Sequence, residues 1–252
     1  MPLPPPLTAL SDLDAQLAGS GYAVLSAADL AALAGLDKRA LPAWAPLWDD
    51  LPLDRFLKDG GRYRRRRHGC FQVTPGPAGD VRPVLHRAHW QPVEYTALHG
   101  GTLRWFDPLP ASLRDDPQWA ALLQALAACA ARLRGLAPAA EPWFVEAHPF
   151  RIDTTDGIGR PTPEGAHRDG VDLVVVVMVA RRGIKGGETR VFDARGPQGL
   201  RFTLSEPWSA LLLDDERVIH ESTPVQPLEP GATGHRDTLV LTFRRGGFQG
   251  PA

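Results

Sequence analysis

Apolar residues recur along the chain at two different spacings, and the change in spacing divides the sequence near residue 142. In the first part, the clearest pattern follows Asp116-Pro117, where apolar side chains recur every three or four residues. The stripe consists of Trp119, Leu122, Leu123, Leu126, Ala130 and Leu133. Because aspartate is a favourable N-cap and proline suits the first turn, the pattern predicts a helix that ends at Gly135 and packs against a sheet.

Two shorter helices, separated by a strand at residues 22–25, are predicted before this one. The first is capped by Thr8 and has one apolar face. That face contains Leu10, Leu13 and Leu17. The second begins after Ser26, which forms a capping-box-like pair with Asp29, and it stops at Gly35. Both helices are expected to pack on one face of a sheet.

After residue 142 the apolar residues come in short runs between turns that are rich in Gly and Pro. The predicted strands span residues 143–152, 171–180, 189–193, 200–204, 209–213, 217–223 and 238–244. Short strands at this spacing are typical of a sandwich or barrel. We therefore expect one domain of 252 residues. It would comprise a loosely held tail at 1–7, helices and strands at 8–142 that buttress the sheet, and a β core at 143–245.

The composition narrows the class of protein. The hydrophobic content of 43% is ample for one large core. The formal net charge of -1 argues against nonspecific electrostatic binding to nucleic acid or to an anionic membrane. No apolar run approaches the roughly 20 residues that span a bilayer, and the first residues lack the pattern of a secretion signal. Cys70 and Cys129 form no ligand motif. We therefore expect a cytoplasmic protein without nucleic-acid or membrane partners.

Candidate metal ligands stand next to two of the predicted strands. His167 and Asp169 come just before the apolar run at 173–180, and residues i and i+2 of an extended segment point to the same side. His220, which follows another apolar run and a polar turn, is the expected third ligand. Two imidazoles and one carboxylate on one face are the ligand set of non-heme Fe(II) oxygenases. Asp172 is a rival carboxylate, but it does not share a face with His167.

Four segments carry a resemblance to a known family. They are 163–172 (PEGAHRDGVD), 186–189 (GGET), 213–220 (LDDERVIH) and 236–240 (RDTLV). Weaker similarity is found at 62–69, 90–95 and 146–152. In this order they resemble the 2-oxoglutarate/Fe(II)-dependent dioxygenases, and among them the bacterial free amino-acid hydroxylases that include L-isoleucine 4-hydroxylase. The resemblance implies a mainly β fold with flanking helices (α+β), built on a double-stranded β-helix, the cupin-like jelly roll.

The resemblance also implies an activity and its cofactors. Fe(II) would be held by His167, Asp169 and His220, with 2-oxoglutarate and O2 at the remaining positions and ascorbate as a stimulant. The reaction would hydroxylate an unactivated C–H bond of a small free L-amino acid and release succinate and CO2. Apart from the metal centre, no catalytic residue is expected.

A clamp for the far carboxylate of 2-oxoglutarate is expected at the start of the last strand. Arg236 and Thr238 lie two residues apart there. A guanidinium group can donate two parallel hydrogen bonds to a carboxylate, and a hydroxyl group can donate a third. Arg244 and Arg245 are alternatives at the far end of the same strand.

Residues that meet the substrate are expected in three segments. Gln91 belongs to a stretch that resembles a family segment near the active site, although Thr96 stands where the family has Asn. Arg151 and Glu146 would suit the carboxylate and the ammonium of an amino acid, but a regular strand puts them on opposite faces. Glu188 is a further acid, whose ordinary role is that of a strand-end residue.

A run of basic residues at 62–67 (RYRRRR) precedes a strand-like segment at 69–73. Alternation would send some of these arginines to each side of a sheet. One or two inward arginines could then meet a substrate carboxylate, while the others would form a solvated face.

Other interpretations remain open at this point. The same chemistry could act on a peptidyl or modified amino acid, or the chain could be a jelly-roll binding protein without catalysis. A second metal cluster built from His86, His89 and His99 is not expected, since their spacings fit no common site. The oligomeric state is not predicted.

Overall fold

The computed structural model describes residues 3–76, 79–96, 98, 100–137 and 141–251, so His99 lies outside the described residues. The helices are α1 (Leu13–Ser20), α2 (Ala27–Ala34), α3 (Ala40–Trp44), α4 (Ala111–Arg114) and α5 (Pro117–Leu133), with 3-10 turns at Leu10–Asp12 and Ala45–Trp48. The strands are β1 (Tyr22–Leu25), β2 (Arg64–Arg66), β3 (Gly69–Thr74), β4 (Asp80–Pro83), β5 (Trp143–Asp153), β6 (Leu173–Arg182), β7 (Ile184–Gly186), β8 (Thr189–Asp193), β9 (Gly199–Phe202), β10 (Ala210–Asp214), β11 (Val218–Ser222), β12 (Val225–Pro227) and β13 (His235–Arg244).

A large antiparallel sheet packs against a smaller set of strands. The large sheet has the order β1-β10-β6-β13-β5-β3-β4, with β2 also pairing with β5. Opposite it lie the ladder β11-β8-β9 and the pair β12-β7. Buried apolar residues such as Met178 on the large sheet and Val191 on the small one fill one end of the space between them. The chain therefore has the predicted jelly-roll core.

The two faces of the large sheet differ in polarity because side chains alternate along each strand. On β5, Val145 and Ala147 join the buried stripe of α5 in the main apolar core. Glu146 and His148 on the same strand face the space between the sheets. The helices thus cover the apolar face and leave a polar inner face free for a site. Of the described helices, none has the length and apolarity needed to cross a membrane.

Most predicted elements are confirmed to within a few residues, and the structure adds the unpredicted elements β4, β7, β12, α3 and α4. Three further differences concern predicted elements. Thr8 does not cap a helix, because its hydroxyl accepts the backbone N–H of Val24 and α1 begins only at Leu13. Strand β13 begins at His235 rather than Thr238, since it is paired on both sides, with β5 and β6. The basic run and the segment after it form two strands, β2 and β3, instead of one.

The predicted alternation of the basic run is confirmed. Arg64 and Arg66 are buried and line the space between the sheets. Arg65 points the other way, is partly exposed and lies 3.6 Å from Asp153.

Candidate metal centre and its cavity

The two candidate histidine ligands lie opposite each other across an antiparallel bridge. The backbone N–H of His167 donates to the carbonyl of His220 at 3.1 Å, and the N–H of His220 donates to the carbonyl of His167 at 3.0 Å. Directly opposed residues in such a pair project to the same face. The two imidazole rings are accordingly only 4.8 Å apart between centroids.

Asp169 is fixed beside the two rings by a second carboxylate. The side chain of Asp215 accepts backbone N–H groups from Asp169 at 3.0 Å, Gly170 at 2.7 Å and Val171 at 3.0 Å. Gly170 has φ +74°, and a Cβ there would lie 2.4 Å from the ring of Tyr95. This turn therefore requires glycine.

The carboxy-terminal segment secures the same turn. The side-chain amide of Gln249 donates to the carbonyls of Asp169 and Gly170, both at 2.9 Å. The metal loop is thus held from the strand side by Asp215 and from the chain terminus by Gln249.

The side-chain atoms of the triad leave room for an ion between them. Nε2 of His167 lies 3.8 Å from one oxygen of Asp169, and Nε2 of His220 lies 3.8 Å from the other. These distances are too long for hydrogen bonds. Nδ1 of His167 is 2.9 Å from the carbonyl of Gly165, so in the neutral imidazole Nδ1 carries the proton and Nε2 presents a lone pair toward Asp169.

The electrostatics differ between the two histidines. Burial, helped by the charge of His167, lowers the pKa of His220 to about 3, so this imidazole is neutral and able to bind a metal. Burial would also lower the pKa of His167, but the carboxylates of Asp169 and Glu164 outweigh it and raise that pKa. Burial raises the pKa of Asp169. A bound cation would offset the cost of burying this carboxylate.

The rival carboxylate, Asp172, has a structural role. It lies 2.9 Å from Nε of Arg134 and 2.8 Å from a terminal nitrogen of Arg245, and it also accepts the backbone N–H of Arg245. It is outside the group of His167, Asp169 and His220, whose ligand atoms all lie within 4.8 Å of one another.

The predicted clamp residues reach the same cavity as the triad. This cavity has a volume of about 130 Å3, and Arg236 and Thr238 line it together with His167, Asp169 and His220. Arg236 is 4% exposed, and its Nε has no hydrogen-bond partner among the described residues. Burial lowers the pKa of Arg236 to about 10, and the charge of Arg181 adds to this.

Three further arginines line this cavity. They are Arg64, Arg66 and Arg104, and each of them is at least 95% buried. The acid Glu164 also lines it, and so do small apolar side chains such as Val176 and Val240. The cavity therefore offers charges of both signs and an apolar surface beside the triad.

The predicted substrate residues have different positions. Gln91 lines the cavity, but its amide donates to Asp169 at 3.0 Å and its carbonyl accepts from Arg104 at 2.9 Å. Arg151 points away from the cavity and pairs with Asp237 at 2.7 Å. The position of Arg151 therefore does not support a substrate contact, because a regular β5 gives it the opposite face. Glu188 pairs with Arg190 at 3.0 Å, outside the cavity.

Glu146 belongs to a second cluster of possible ligands, together with His68, His89 and His148. One oxygen of Glu146 lies 2.5 Å from Nδ1 of His89, 3.1 Å from Nε2 of His68 and 3.5 Å from Nε2 of His148. All four residues are buried. Glu146 is therefore enclosed by imidazoles, and its position does not support the predicted contact with a substrate ammonium.

Hydrogen bonds account for this second cluster without a metal. A terminal nitrogen of Arg66 lies 2.6 Å from Nδ1 of His148. Because arginine can only donate, the His148 proton is on Nε2, which faces Glu146. Burial lowers the pKa of His89 to about 3. For Glu146, burial would raise the pKa, but the three histidines outweigh it and hold that pKa well below its usual range. The cluster is thus an ionised carboxylate that the surrounding imidazoles stabilise.

Sequence reasoning missed several residues at the site. In the sequence, Asp215 stands in the polar turn before His220. Its role as acceptor of three backbone N–H groups depends on the fold of the metal loop. Arg104 stands in a segment without periodicity, and a backbone bridge to His89 brings it to the cavity. The alternation of β5 is a usable signal in the sequence for the second cluster, since residues i and i+2 of a strand, here Glu146 and His148, share one face.

Known proteins match this chain both in sequence and in structure. The sequence profile of the 2OG-Fe dioxygenase family matches residues 45–242. The crystal structure of a bsmA homolog from Methylobium petroleophilum PM1 is 56% identical, covers 98% of this chain and 97% of its own, and has a TM-score of 0.90.

Two solved structures share the fold at low sequence identity. IDO from Bacillus thuringiensis is 15% identical, with coverage of 95% of this chain and 97% of its own and a TM-score of 0.74. The Fe(II)/(alpha)ketoglutarate-dependent dioxygenase TqaL is 21% identical, with coverage of 94% and 87% and a TM-score of 0.67. No curated protein matches the chain in sequence.

Proposed function

The chain belongs to the 2OG-Fe dioxygenase family, and within that family we propose that it hydroxylates an unactivated C–H bond of a small free L-amino acid. It is an enzyme of this class, whose reaction uses Fe(II), 2-oxoglutarate and O2. Succinate and CO2 are the co-products of the proposed reaction.

We assign the iron to His167, Asp169 and His220. The convergence of their ligand atoms and the proton on Nδ1 of His167 support this assignment. When bound, the iron and 2-oxoglutarate supply the oxidising chemistry. The protein positions Asp169 through Asp215 and Gln91, and the reacting groups would lie in the cavity that the three ligands line.

We assign the far carboxylate of 2-oxoglutarate to Arg236 and Thr238. Both line the cavity, and the N–H of Arg236 without a described partner supports a role in anion binding. The alternatives are less favourable, because Arg245 pairs with Asp172 and Arg244 donates to the carbonyl of Gly247.

The observation that carries the substrate class is the mixture of charges in the cavity. Besides Arg236, the buried arginines Arg64, Arg66 and Arg104 line it, and so does the acid Glu164. A free amino acid has one carboxylate and one ammonium group, so its charges are complementary to a cavity lined by both arginine and glutamate side chains. Val176 and Val240 would meet a small apolar side chain.

A screen of free amino acids tests the proposal. Purified enzyme with Fe(II), ascorbate, 2-oxoglutarate and O2 is mixed with each L-amino acid, and succinate and products with one added oxygen are followed by mass spectrometry. We expect at least one hydroxylated amino acid, and its formation stops when iron or 2-oxoglutarate is omitted. Hydroxylation of peptides but of no free amino acid would contradict the substrate class.

A further inference from the structure

We propose that Arg66 and Arg104 form a separate subsite that binds the carboxylate of the substrate. The inference rests on the proposed function, in that it concerns the ligand of the same cavity. It concerns a different anion from the far carboxylate of 2-oxoglutarate, which we assign to Arg236.

Both guanidinium groups have binding capacity that the protein itself does not use. Arg66 and Arg104 are each 3% exposed, and each has a buried Nε without a hydrogen-bond partner among the described residues. Both arginines line the cavity that contains His167, Asp169 and His220. Buried N–H groups of charged residues are nearly always paired in proteins. These two groups, together with those of Arg64 and Arg236 in the same cavity, therefore indicate anionic acceptors on ligands.

The direct partners of these two arginines are neutral. Arg66 lies 2.6 Å from Nδ1 of His148, and Arg104 donates to the amide oxygen of Gln91 at 2.9 Å. Neither of them lies within salt-bridge distance of a carboxylate in the part of the chain that the structure describes. The neighbouring Arg64 differs in charge balance, because its Nε pairs with Asp54 at 2.7 Å, although one of its terminal nitrogens also has no hydrogen-bond partner among the described residues.

The two guanidinium groups are also close enough to affect each other. Burial lowers the pKa of Arg66 well below its usual range. The charges of Asp54 and Glu146 oppose this effect, and those of Arg64 and Arg104 add to it. Burial likewise lowers the pKa of Arg104 to about 10, with Arg64 contributing, although Glu164 and other acids oppose it. A carboxylate bound between two such groups would relieve the repulsion and occupy both.

Contacts on two sides fix the orientation of the subsite. Nε2 of His148 lies 3.5 Å from Glu146, and Nδ1 of His148 accepts from Arg66. The guanidinium carbon of Arg66 lies 3.9 Å from the ring centroid of Phe106 and 4.3 Å from that of Phe150. On the other side, Gln91 accepts from Arg104 and donates to Asp169. The amide of Gln91 thus sets the position of Arg104 relative to the candidate iron ligand. The second cluster, which needs no metal, gains a function as a support for Arg66.

The test compares each amino acid with its own carboxamide. Calorimetry under anaerobic conditions measures binding of the twenty L-amino acids and their carboxamides to the enzyme loaded with Fe(II) and 2-oxoglutarate. The carboxamide keeps the ammonium and the side chain and lacks only the negative charge. We expect at least one amino acid to bind, with its carboxamide at least tenfold weaker.

Variants then assign this preference to the subsite. Arg104→Gln is expected to lower the affinity for the amino acid by about 10- to 100-fold, to the level of the carboxamide, and to leave carboxamide binding unchanged. Arg104→Lys keeps the positive charge but lacks the bidentate guanidinium group, so we expect a loss of affinity for the amino acid smaller than that in Arg104→Gln. The matched control is Arg62→Gln, since Arg62 is exposed and pairs with Asp156. Thermal unfolding of each variant checks that it is folded.

The outcomes separate the subsite from the proposed function. Equal binding of acid and carboxamide, or binding of neither, would overturn the subsite, and the first result is compatible with hydroxylation of an amino acid. Equal weakening of acid and carboxamide in both Arg104 variants would also overturn it. Carboxylate-dependent binding without hydroxylation of any amino acid would support the subsite and contradict the proposed function.

Discussion

Two clusters of histidine and carboxylate lie on the inner face of this jelly roll, and they differ in what the imidazoles present to the carboxylate. At His167, Asp169 and His220 the nitrogen–oxygen distances are 3.8 Å, and the Nδ1 proton of His167 is held elsewhere, by Gly165. At Glu146 the nearest imidazole nitrogens lie 2.5 and 3.1 Å away, within hydrogen-bond distance.

The difference shows that the types of ligand do not by themselves define a metal site. In the first cluster, lone pairs converge on a space that an ion can fill. In the second, N–H protons converge on an oxygen that is already satisfied, and Arg66 occupies the remaining nitrogen of His148. A divalent ion there would also lie beside the buried charges of Arg66 and Arg104, which makes binding less favourable. The hydrogen-bonded state therefore distinguishes the two clusters.

Removal of a ligand from the first cluster should have the largest effect on activity. We expect His167→Ala, Asp169→Ala and His220→Ala each to abolish turnover, because each variant lacks one of three iron ligands, while the protein remains folded. Succinate formation and circular dichroism measure the two properties. The matched control is His86→Ala, since His86 belongs to neither cluster. A ligand variant with near-normal activity would remove that residue from the assignment.

Removal of the Glu146 carboxylate from the second cluster should lower the stability of the protein. Glu146→Ala leaves the buried imidazoles of His68 and His89 without their acceptor. We therefore expect the free energy of unfolding to fall by about 1–3 kcal/mol for each donor left unpaired. Glu146→Gln, which keeps one acceptor oxygen, should lose less. Chemical denaturation measures both variants. Unchanged stability in Glu146→Ala would contradict the structural role of this cluster.

The cosubstrate clamp should affect affinity more than the chemical step. Arg236→Ala is expected to weaken 2-oxoglutarate binding by about 1.5–3 kcal/mol, because it removes a charge-assisted hydrogen bond. The measurement is the 2-oxoglutarate concentration that gives half-maximal rate. Arg244→Ala serves as the comparison, and a larger increase in this variant than in Arg236→Ala would move the clamp to the other end of β13.

Substitution of Gln91, which hydrogen-bonds both Asp169 and Arg104, should have a smaller effect on activity. Gln91→Leu removes one hydrogen bond to Asp169 and one to Arg104, so we expect iron affinity to fall by about 10-fold. We also expect a lower ratio of hydroxylated product to succinate, because the substrate is then less well positioned. Iron titration and product analysis measure the two quantities. An unchanged product ratio would show that Gln91 supports only the fold.

The sequence predicted the convergence of the three candidate ligands better than the lining of the cavity, and the reason is the range of the interactions. His167 and Asp169 follow from a local i, i+2 relation, and His220 from its position after a strand. The cavity wall depends on pairings between distant segments, as in the bridge that joins His89 to Arg104. The alternation of β2 and β5 was readable, but the partners of Glu146 and Arg151 were not.

Metal stoichiometry tests the central claim most directly, since the two clusters predict different counts. The wild-type enzyme and the His220→Ala and Glu146→Gln variants are loaded with Fe(II) without oxygen, freed of excess metal and measured by elemental analysis. We predict one iron per chain in the wild type and in Glu146→Gln, and a loss of this iron in His220→Ala. Two irons per chain, or a single iron that is lost in Glu146→Gln and kept in His220→Ala, would contradict the account.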